Sequence, residues 1–176
     1  MKTQFANNRK LRERGSALVE FTIAGIASAV LMITTVQISL AMWNYHTLAY
    51  AAHEANRYIV VHGRGCMLGG NSCTITVADI VSKFKANGIG LAPTNVNLTL
   101  TSHSGTTHTC NPISTCSIDT TQWPPTSGFD NAKGKYSTIN AKYAMNMGIV
   151  GIWFGTSGTQ IGTIALTSQS KLQMLF

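Results

Sequence analysis

The sequence predicts an α+β protein in which one long N-terminal helix carries a small domain with an antiparallel sheet and a short helix. Three observations predict it. Residues 21–43 hold no charged side chain, an alanine-rich segment without Pro or Gly follows them, and two later segments alternate apolar and polar residues. We therefore divide the chain into a basic head (1–15), the long helix (16–62) and the domain (63–176).

Charge is concentrated in the head. The chain carries a net charge of +7, and its first 15 residues hold five of the 13 Lys and Arg. The remainder has 8 basic against 5 acidic residues, a net charge of +3, without a basic cluster interleaved with aromatic residues. This distribution disfavours a nucleic-acid partner and indicates a signal that keeps the N-terminus in the cytoplasm.

The first half of the helix is long enough to cross a membrane. At about 1.5 Å per residue, 23 uncharged residues span roughly 35 Å, so we predict a span over about residues 18–43. The basic head then stays inside and the domain is exported. The competing interpretation is a cleaved secretory signal with a small-x-small site at Ala49-Tyr50-Ala51, but the apolar run exceeds the usual 7–15 residues.

The second half of the helix is amphipathic and should face the core of the domain. Apolar residues recur at helical spacing at Leu48, Ala52, Ala55 and Ile59. Gly63 and Gly65 end the helix.

In the domain, Thr76 and Asp79 predict a capping box for a short helix that ends at Gly88. Alternation predicts strands over residues 96–101 and 138–147, and a less regular one over 159–168. Residues 102–135, rich in Ser, Thr, Gly and Pro, predict a long loop. Residues 148–155, apolar and glycine-rich, form either a buried loop or a contact with a membrane surface or a partner.

The four cysteines suit export. An even number in an oxidising compartment predicts two disulfides, and of the three possible pairings we favour the local ones, Cys66–Cys73 and Cys110–Cys116. Zinc is the alternative, but neither pair has the short C-x₂₋₄-C spacing of common zinc sites, so no metal is expected.

One carboxylate, Glu20, stands at the start of the apolar run, five residues after Gly15 and next to Phe21. An ionised carboxylate in hydrocarbon is costly. Cleavage after Gly15 would create a free α-amine on Ser16, and the amine of a neighbouring subunit could pair with Glu20 to set axial register. The plainer interpretation is an interfacial Glu20 that reaches water.

These residues carry a resemblance. The segment Arg14-Gly15-Ser16-Ala17-Leu18-Val19-Glu20-Phe21 resembles the class III prepilin leader of Tad (Flp-type) pilus systems, and Leu48–Tyr58 is similar to an Ala- and Arg-containing segment of TadE-like proteins. The resemblance covers about residues 14–60. His53 and Asn56 stand where Arg and Gly are common in that family. It implies a minor pseudopilin with a pilin-like helix, cut between Gly15 and Ser16 by a prepilin peptidase.

The resemblance also implies partners and a location. The expected partners are the prepilin peptidase, other pilins or pseudopilins, the pilus assembly platform of the inner membrane, and membrane lipid. The protein would cross the bacterial inner membrane once, with its C-terminal domain periplasmic or extracellular.

Small-xxx-small pairs could support helix packing, at Ala24 with Ser28 and Gly25 with Ala29. The alternative is a permanently anchored periplasmic binding module or enzyme that is never processed.

Signals for catalysis are poor. Residues 155–158 lack the final glycine of a G-x-S-x-G nucleophile elbow. His103 and His108 lie at no recognised ligand spacing, and the carboxylates after Glu54 are far apart in sequence. We expect no catalytic residue and no cofactor.

Overall fold

A computed structural model of the chain describes residues 2–62, 75–125, 130–146 and 163–174. The predicted α+β class is confirmed: a long helix is followed by a short helix and a four-stranded antiparallel sheet. The elements are α1 (Lys2–His62), α2 (Val77–Asn87), β1 (Val96–Thr101), β2 (Thr107–Cys110), β3 (Tyr136–Asn146) and β4 (Thr163–Gln173), with 3-10 turns at Pro93–Asn95 and Ile113–Cys116. The chain divides into two compact units, residues 1–40 and 41–176.

Helix α1 begins at Lys2 and not near Ser16, the expected start, and is 61 residues long. We based that expectation on the lack of apolar periodicity in the head. Periodicity reports packing, however, and not helix formation: residues 2–14 contain neither Gly nor Pro and include several good helix formers. The single Gly15 inside the helix is tolerated.

In the first unit, α1 is apolar and uncovered. Residues 17–40 include no buried side chain, and the described part of the chain has one helix long and apolar enough to cross a membrane. In water such a continuous apolar surface would be unfavourable, so this part of α1 suits a lipid environment or a contact with other helices.

In the second unit, α1 supplies one wall of the core. The predicted core positions Leu48, Ala52, Ala55 and Ile59 are all fully buried, in one cluster with apolar side chains of α2 and the sheet. The small alanines let the backbone of α1 approach its neighbours closely. The surface pair Glu54 and Arg57 lies on the outside, with 3.6 Å between carboxylate and guanidinium.

Asn56 is the polar exception on this buried face. Its Nδ2 donates to the backbone carbonyls of Ser137 at 3.1 Å and Ser170 at 3.0 Å, so one side chain ties α1 to both β3 and β4. Breaking these two buried hydrogen bonds would cost free energy, so Asn56 favours the observed position of the helix on the sheet.

The short helix α2 has the predicted capping box. The hydroxyl of Thr76 accepts from the N–H of Asp79, and the Asp79 carboxylate accepts from the N–H of Thr76. Two further N–H groups of its first turn donate to loop carbonyls, Val77 to Thr121 and Ala78 to Asp119, each at 2.9 Å. Gly88 ends the helix as expected.

The sheet has the strand order β2-β1-β3-β4, and all neighbours are antiparallel. The alternation predicted for the first two strands is confirmed, since Leu98 on β1 pairs with Ala141 on β3 and both face the core. The strand expected over 159–168 is displaced: β4 runs over Thr163–Gln173, because its pairing with β3 extends to Tyr136 and Gln173. Residues 147–162, which include the glycine-rich stretch 148–155, lie outside the described residues.

The expectation of a structureless loop over 102–135 is wrong in its described parts. A tight turn at Gly105, whose φ of 89° favours glycine, leads into β2, and a 3-10 turn at Ile113–Cys116 follows. Polar composition hid these elements because β2 is a short edge strand with one buried residue, Cys110.

Candidate processing site and disulfide loop

The predicted cleavage point between Gly15 and Ser16 lies inside α1. In a helix, each carbonyl oxygen accepts a hydrogen bond from the N–H four residues later, so a peptidase has to open the helix locally before it can attack this bond. Glycine lowers the cost of that opening by about 1 kcal/mol relative to alanine.

Glu20 and Phe21 follow on exposed positions, and the side chain of Phe21 is 80% exposed. Glu20 is the one charged residue between 17 and 40, so no opposite charge within that segment can pair with it. A charge partner for this carboxylate therefore has to come from outside residues 17–40.

The hydroxyls of the same segment behave differently. Each donates to a backbone carbonyl three or four residues earlier, at 2.6–3.0 Å: Thr22, Ser28, Thr34, Thr35 and Ser39. Such internal bonds satisfy polar side chains without water. The contrast with Glu20 singles out that carboxylate as the group that needs a partner.

The small residues of the segment leave space for a neighbour. A Cβ added to Gly25 would meet nothing within 4 Å, and Ala24, Ser28 and Ala29 are exposed. The structure thus leaves the small-xxx-small face open.

The structure joins Cys110 and Cys116 in a disulfide, the local pairing that the spacing favoured. Both cysteines are buried, with 0% and 5% exposure. Cys66 and Cys73 lie outside the described residues.

A histidine and a carboxylate border this disulfide, and sequence reasoning missed both. His108 Nε2 lies 2.8 Å from Asp119 Oδ2 and 3.9 Å from Cys116 Sγ. The only sequence signal was the strand spacing of His108 and Cys110, since residues two apart share a face of a strand. That Asp119 joins them follows from the turn after Cys116, which no spacing rule covered.

Two carboxylates of the loop have lowered pKa values. Hydrogen bonds from the hydroxyl and the N–H of Thr121 lower the pKa of Asp119, and His108 adds to this against a raising effect of burial. At Asp130, burial raises the pKa, but hydrogen bonds from Ser102 and Ser104 outweigh it and hold the pKa below its ordinary value. Both groups therefore favour the ionised form in the folded protein.

Asp130 orders the turn between β1 and β2. It is fully buried, and its carboxylate accepts from the N–H of Ser104 at 2.8 Å and from the hydroxyl of the same residue. This buried charge is one more reason why the polar loop is structured.

Residues 15–57 match the TadE family model, described as TadE-like protein. The resemblance drawn from residues 14–60 is thereby confirmed over this segment, which lies within α1 and begins at Gly15. The match supports a component related to the Tad pilus. No curated protein and no solved structure matches the chain.

Proposed function

We propose that this chain, which carries a TadE-like segment over residues 15–57, is a minor pseudopilin of pilus biogenesis, processed after Gly15 by a prepilin peptidase. It acts as a structural or assembly component and not as an enzyme. The observation that carries the proposal is the family match, which starts at the predicted cleavage residue and continues through an exposed apolar helix.

The orientation follows from charge. The head places its basic residues before the apolar span, which favours a cytoplasmic N-terminus and a periplasmic or extracellular domain. In this topology the peptidase acts from the inner membrane at residue 15, while the domain folds on the other side and forms its disulfide there.

The proposed role of Glu20 rests on the absence of any other charged residue between 17 and 40. After cleavage, the α-amine of Ser16 lies four residues before Glu20, about one helical turn away along α1. The same two groups on adjacent subunits can pair across a helix–helix contact and set the axial register. The pairing neutralises a charge that is costly in hydrocarbon.

The cleavage step is tested by intact mass and N-terminal sequencing of the full chain, expressed with and without a prepilin peptidase. We expect a loss of residues 1–15 and a new N-terminus at Ser16 only when the peptidase is present. A mature chain that still begins at Met1 would favour the alternative, an unprocessed periplasmic anchor. A start near residue 52 would favour a secretory signal.

A matched pair of variants separates recognition of glycine from helix stability. Gly15→Ala and Gly25→Ala raise helix propensity by the same amount, about 1 kcal/mol, in the same helix. We expect Gly15→Ala to block the mass loss and Gly25→Ala to leave it intact. Equal cleavage of both variants would exclude Gly15 as the recognition residue.

The assembly step is tested by Glu20→Gln, with Glu54→Gln as the control on the packed half of α1. We expect both variants to insert into the membrane and to be cleaved, and only Glu20→Gln to lower crosslinking to pilin subunits. Normal crosslinking of Glu20→Gln would contradict the register role.

A further inference from the structure

We propose that reduction of the Cys110–Cys116 disulfide opens a binding site for a thiophilic divalent cation, Zn²⁺ above all, formed by His108, Cys110, Cys116 and Asp119. The site belongs to the domain and is independent of processing at Gly15. It revises the expectation of no metal, which rested on the sequence spacing of cysteines, histidines and carboxylates and not on their positions in the fold.

The ligand atoms already converge. The candidate ligand atoms of His108, Cys110 and Cys116 all lie within 4.8 Å of one another. His108 Nε2 is 3.9 Å from Cys116 Sγ and 2.8 Å from Asp119 Oδ2. Ligands of a tetrahedral zinc centre, at bond lengths of about 2.0–2.3 Å, are separated by roughly 3.3–3.8 Å. Small side-chain shifts, together with separation of the two sulfurs, bring the set to that geometry.

The fold holds each ligand in place. His108 and Cys110 share one face of β2, and Cys116 ends the adjacent 3-10 turn. Asp119 is oriented by the N–H of Thr121, which donates to its Oδ1 at 2.9 Å and leaves Oδ2 toward the histidine. A carboxylate oriented by its other oxygen is the arrangement that supports metal ligands in proteins.

Burial gives the site an inner and an outer side. The sulfurs are buried, whereas the side chains of His108 and Asp119 are 28% and 23% exposed. An ion can therefore enter past the imidazole and the carboxylate and reach sulfur ligands that are shielded from water. Two thiolates, one imidazole and one carboxylate form a donor set suited to Zn²⁺.

The chemistry balances in two steps. A dithiol reductant transfers two electrons and two protons to the disulfide, which becomes two thiols while the reductant becomes a disulfide. Zn²⁺ then binds both sulfurs as thiolates and releases their two protons to solvent. The neutral imidazole binds through Nε2 and keeps its proton on Nδ1. While the disulfide is intact, neither sulfur is a thiolate, and the site is closed.

The experiment uses the full chain in detergent micelles, with Cys66→Ser and Cys73→Ser to remove the other thiols. Co²⁺ is titrated into the oxidised and the reduced protein after removal of the reductant, followed by competition with Zn²⁺. We expect one Co²⁺ per reduced chain, with the absorption of tetrahedral thiolate coordination, its displacement by Zn²⁺, and no such spectrum for the oxidised chain.

Ligand variants show whether the proposed residues form the site. His108→Ala and Asp119→Ala should each weaken binding by at least about tenfold. The exposed His53→Ala, 56% exposed on α1, should not change it. Circular dichroism of the oxidised variants verifies that the fold is kept.

Three results would overturn the proposal. They are a folded reduced chain that binds no Co²⁺, a reduced chain that unfolds and binds none, and binding that is unchanged by His108→Ala. The first two would show that the cysteines serve only as a structural crosslink, and the third would show that His108 is not a ligand of the bound ion.

Discussion

The two halves of α1 have the same backbone and opposite surroundings. Residues 17–40 contain no buried side chain, whereas the segment from Ala41 to His62 buries a complete face of the helix. Both halves are rich in apolar residues. The difference lies in burial, since the second half contributes side chains to the core of the domain and residues 17–40 contribute no buried side chain.

This comparison shows that apolar content alone does not tell whether a helix is stabilised by its own protein. In the second half, the buried face is apolar apart from Asn56, and the exposed positions include polar residues such as His53 and Arg57. In the first half, apolar residues surround the helix, and the hydroxyls bond internally. The pattern of the second half suits packing against a globular core, and the pattern of the first half suits lipid.

The largest expected effect is the loss of stability when a core side chain of the second half is truncated. Ile59→Ala should lower the free energy of unfolding of the domain by about 2–5 kcal/mol, because Ile59 is fully buried. Ile33→Ala, at a 49% exposed position of the first half, should leave it nearly unchanged. Urea unfolding in micelles, monitored by near-UV circular dichroism, measures the stability of both variants. Equal losses of stability would show that the two halves do not differ in their packing.

The reverse experiment probes the lipid-facing half. Leu31→Arg should raise the cost of membrane insertion by about 2.5–3.5 kcal/mol, because the charge would lie near the centre of the span. Tyr50→Arg, also exposed but on the second half, should insert normally. Alkaline extraction of membranes reports the inserted fraction. If Leu31→Arg remained fully inserted, residue 31 would not lie in the hydrocarbon.

A smaller effect tests the polar link on the packed half. Asn56→Ala removes the donor shared by the carbonyls of Ser137 and Ser170 and should destabilise the domain by about 1–3 kcal/mol. Asn87→Ala is the control. The side-chain amide that it removes donates to the carbonyl of Lys83 within α2, and we expect the free energy of unfolding to change by less than about 0.5 kcal/mol. A similar loss of stability in both variants would show that the bonds of Asn56 to the sheet stabilise the domain no more than the bond of Asn87 within α2.

The smallest effect concerns acid, and it should be confined to the domain. Because the pKa of Asp130 is lowered in the folded state, its contribution to stability is present above the unfolded pKa of about 3.9. It is lost as the pH falls through the lower, folded value. Asp130→Asn should therefore flatten the loss of stability below pH 4.

Unfolding midpoints between pH 2 and 7 measure this difference. Asp119 also has a lowered pKa, so part of the acid dependence should remain in the variant. An unchanged pH profile would mean that Asp130 does not contribute to the loss of stability in acid.

Much of the fold was predictable because it depends on local patterns. The capping box at Thr76, the buried face at Leu48 and the alternation of β1 are each determined within a few residues. Processing at Gly15 and register through Glu20 stay predictions, since they depend on partners outside the chain.

The remainder depended on contacts between distant residues, which short-range patterns do not encode. In the sequence, Asn56 resembles any polar residue of a helix. Its role depends on the fold, which brings residues 137 and 170 within hydrogen-bond distance of it. The loop around His108 is structured by the disulfide, by Asp130 and by backbone bonds to the start of α2, and its polar composition shows none of these. The start of α1 was missed for a different reason: a helix that does not pack needs no apolar period.

The hydrogen bonds of Asn56 also impose an order of events on synthesis. They close over separations of 81 and 114 residues, so the packed face of α1 emerges long before its partners do. At roughly 5–20 residues per second, the interval before residue 170 is made is about 6–23 s. During that time the buried face at Leu48 and Ile59 has no strands to cover it. The nascent domain is therefore most open to aggregation before β4 exists, and we expect it to depend on a holding chaperone until that last strand arrives.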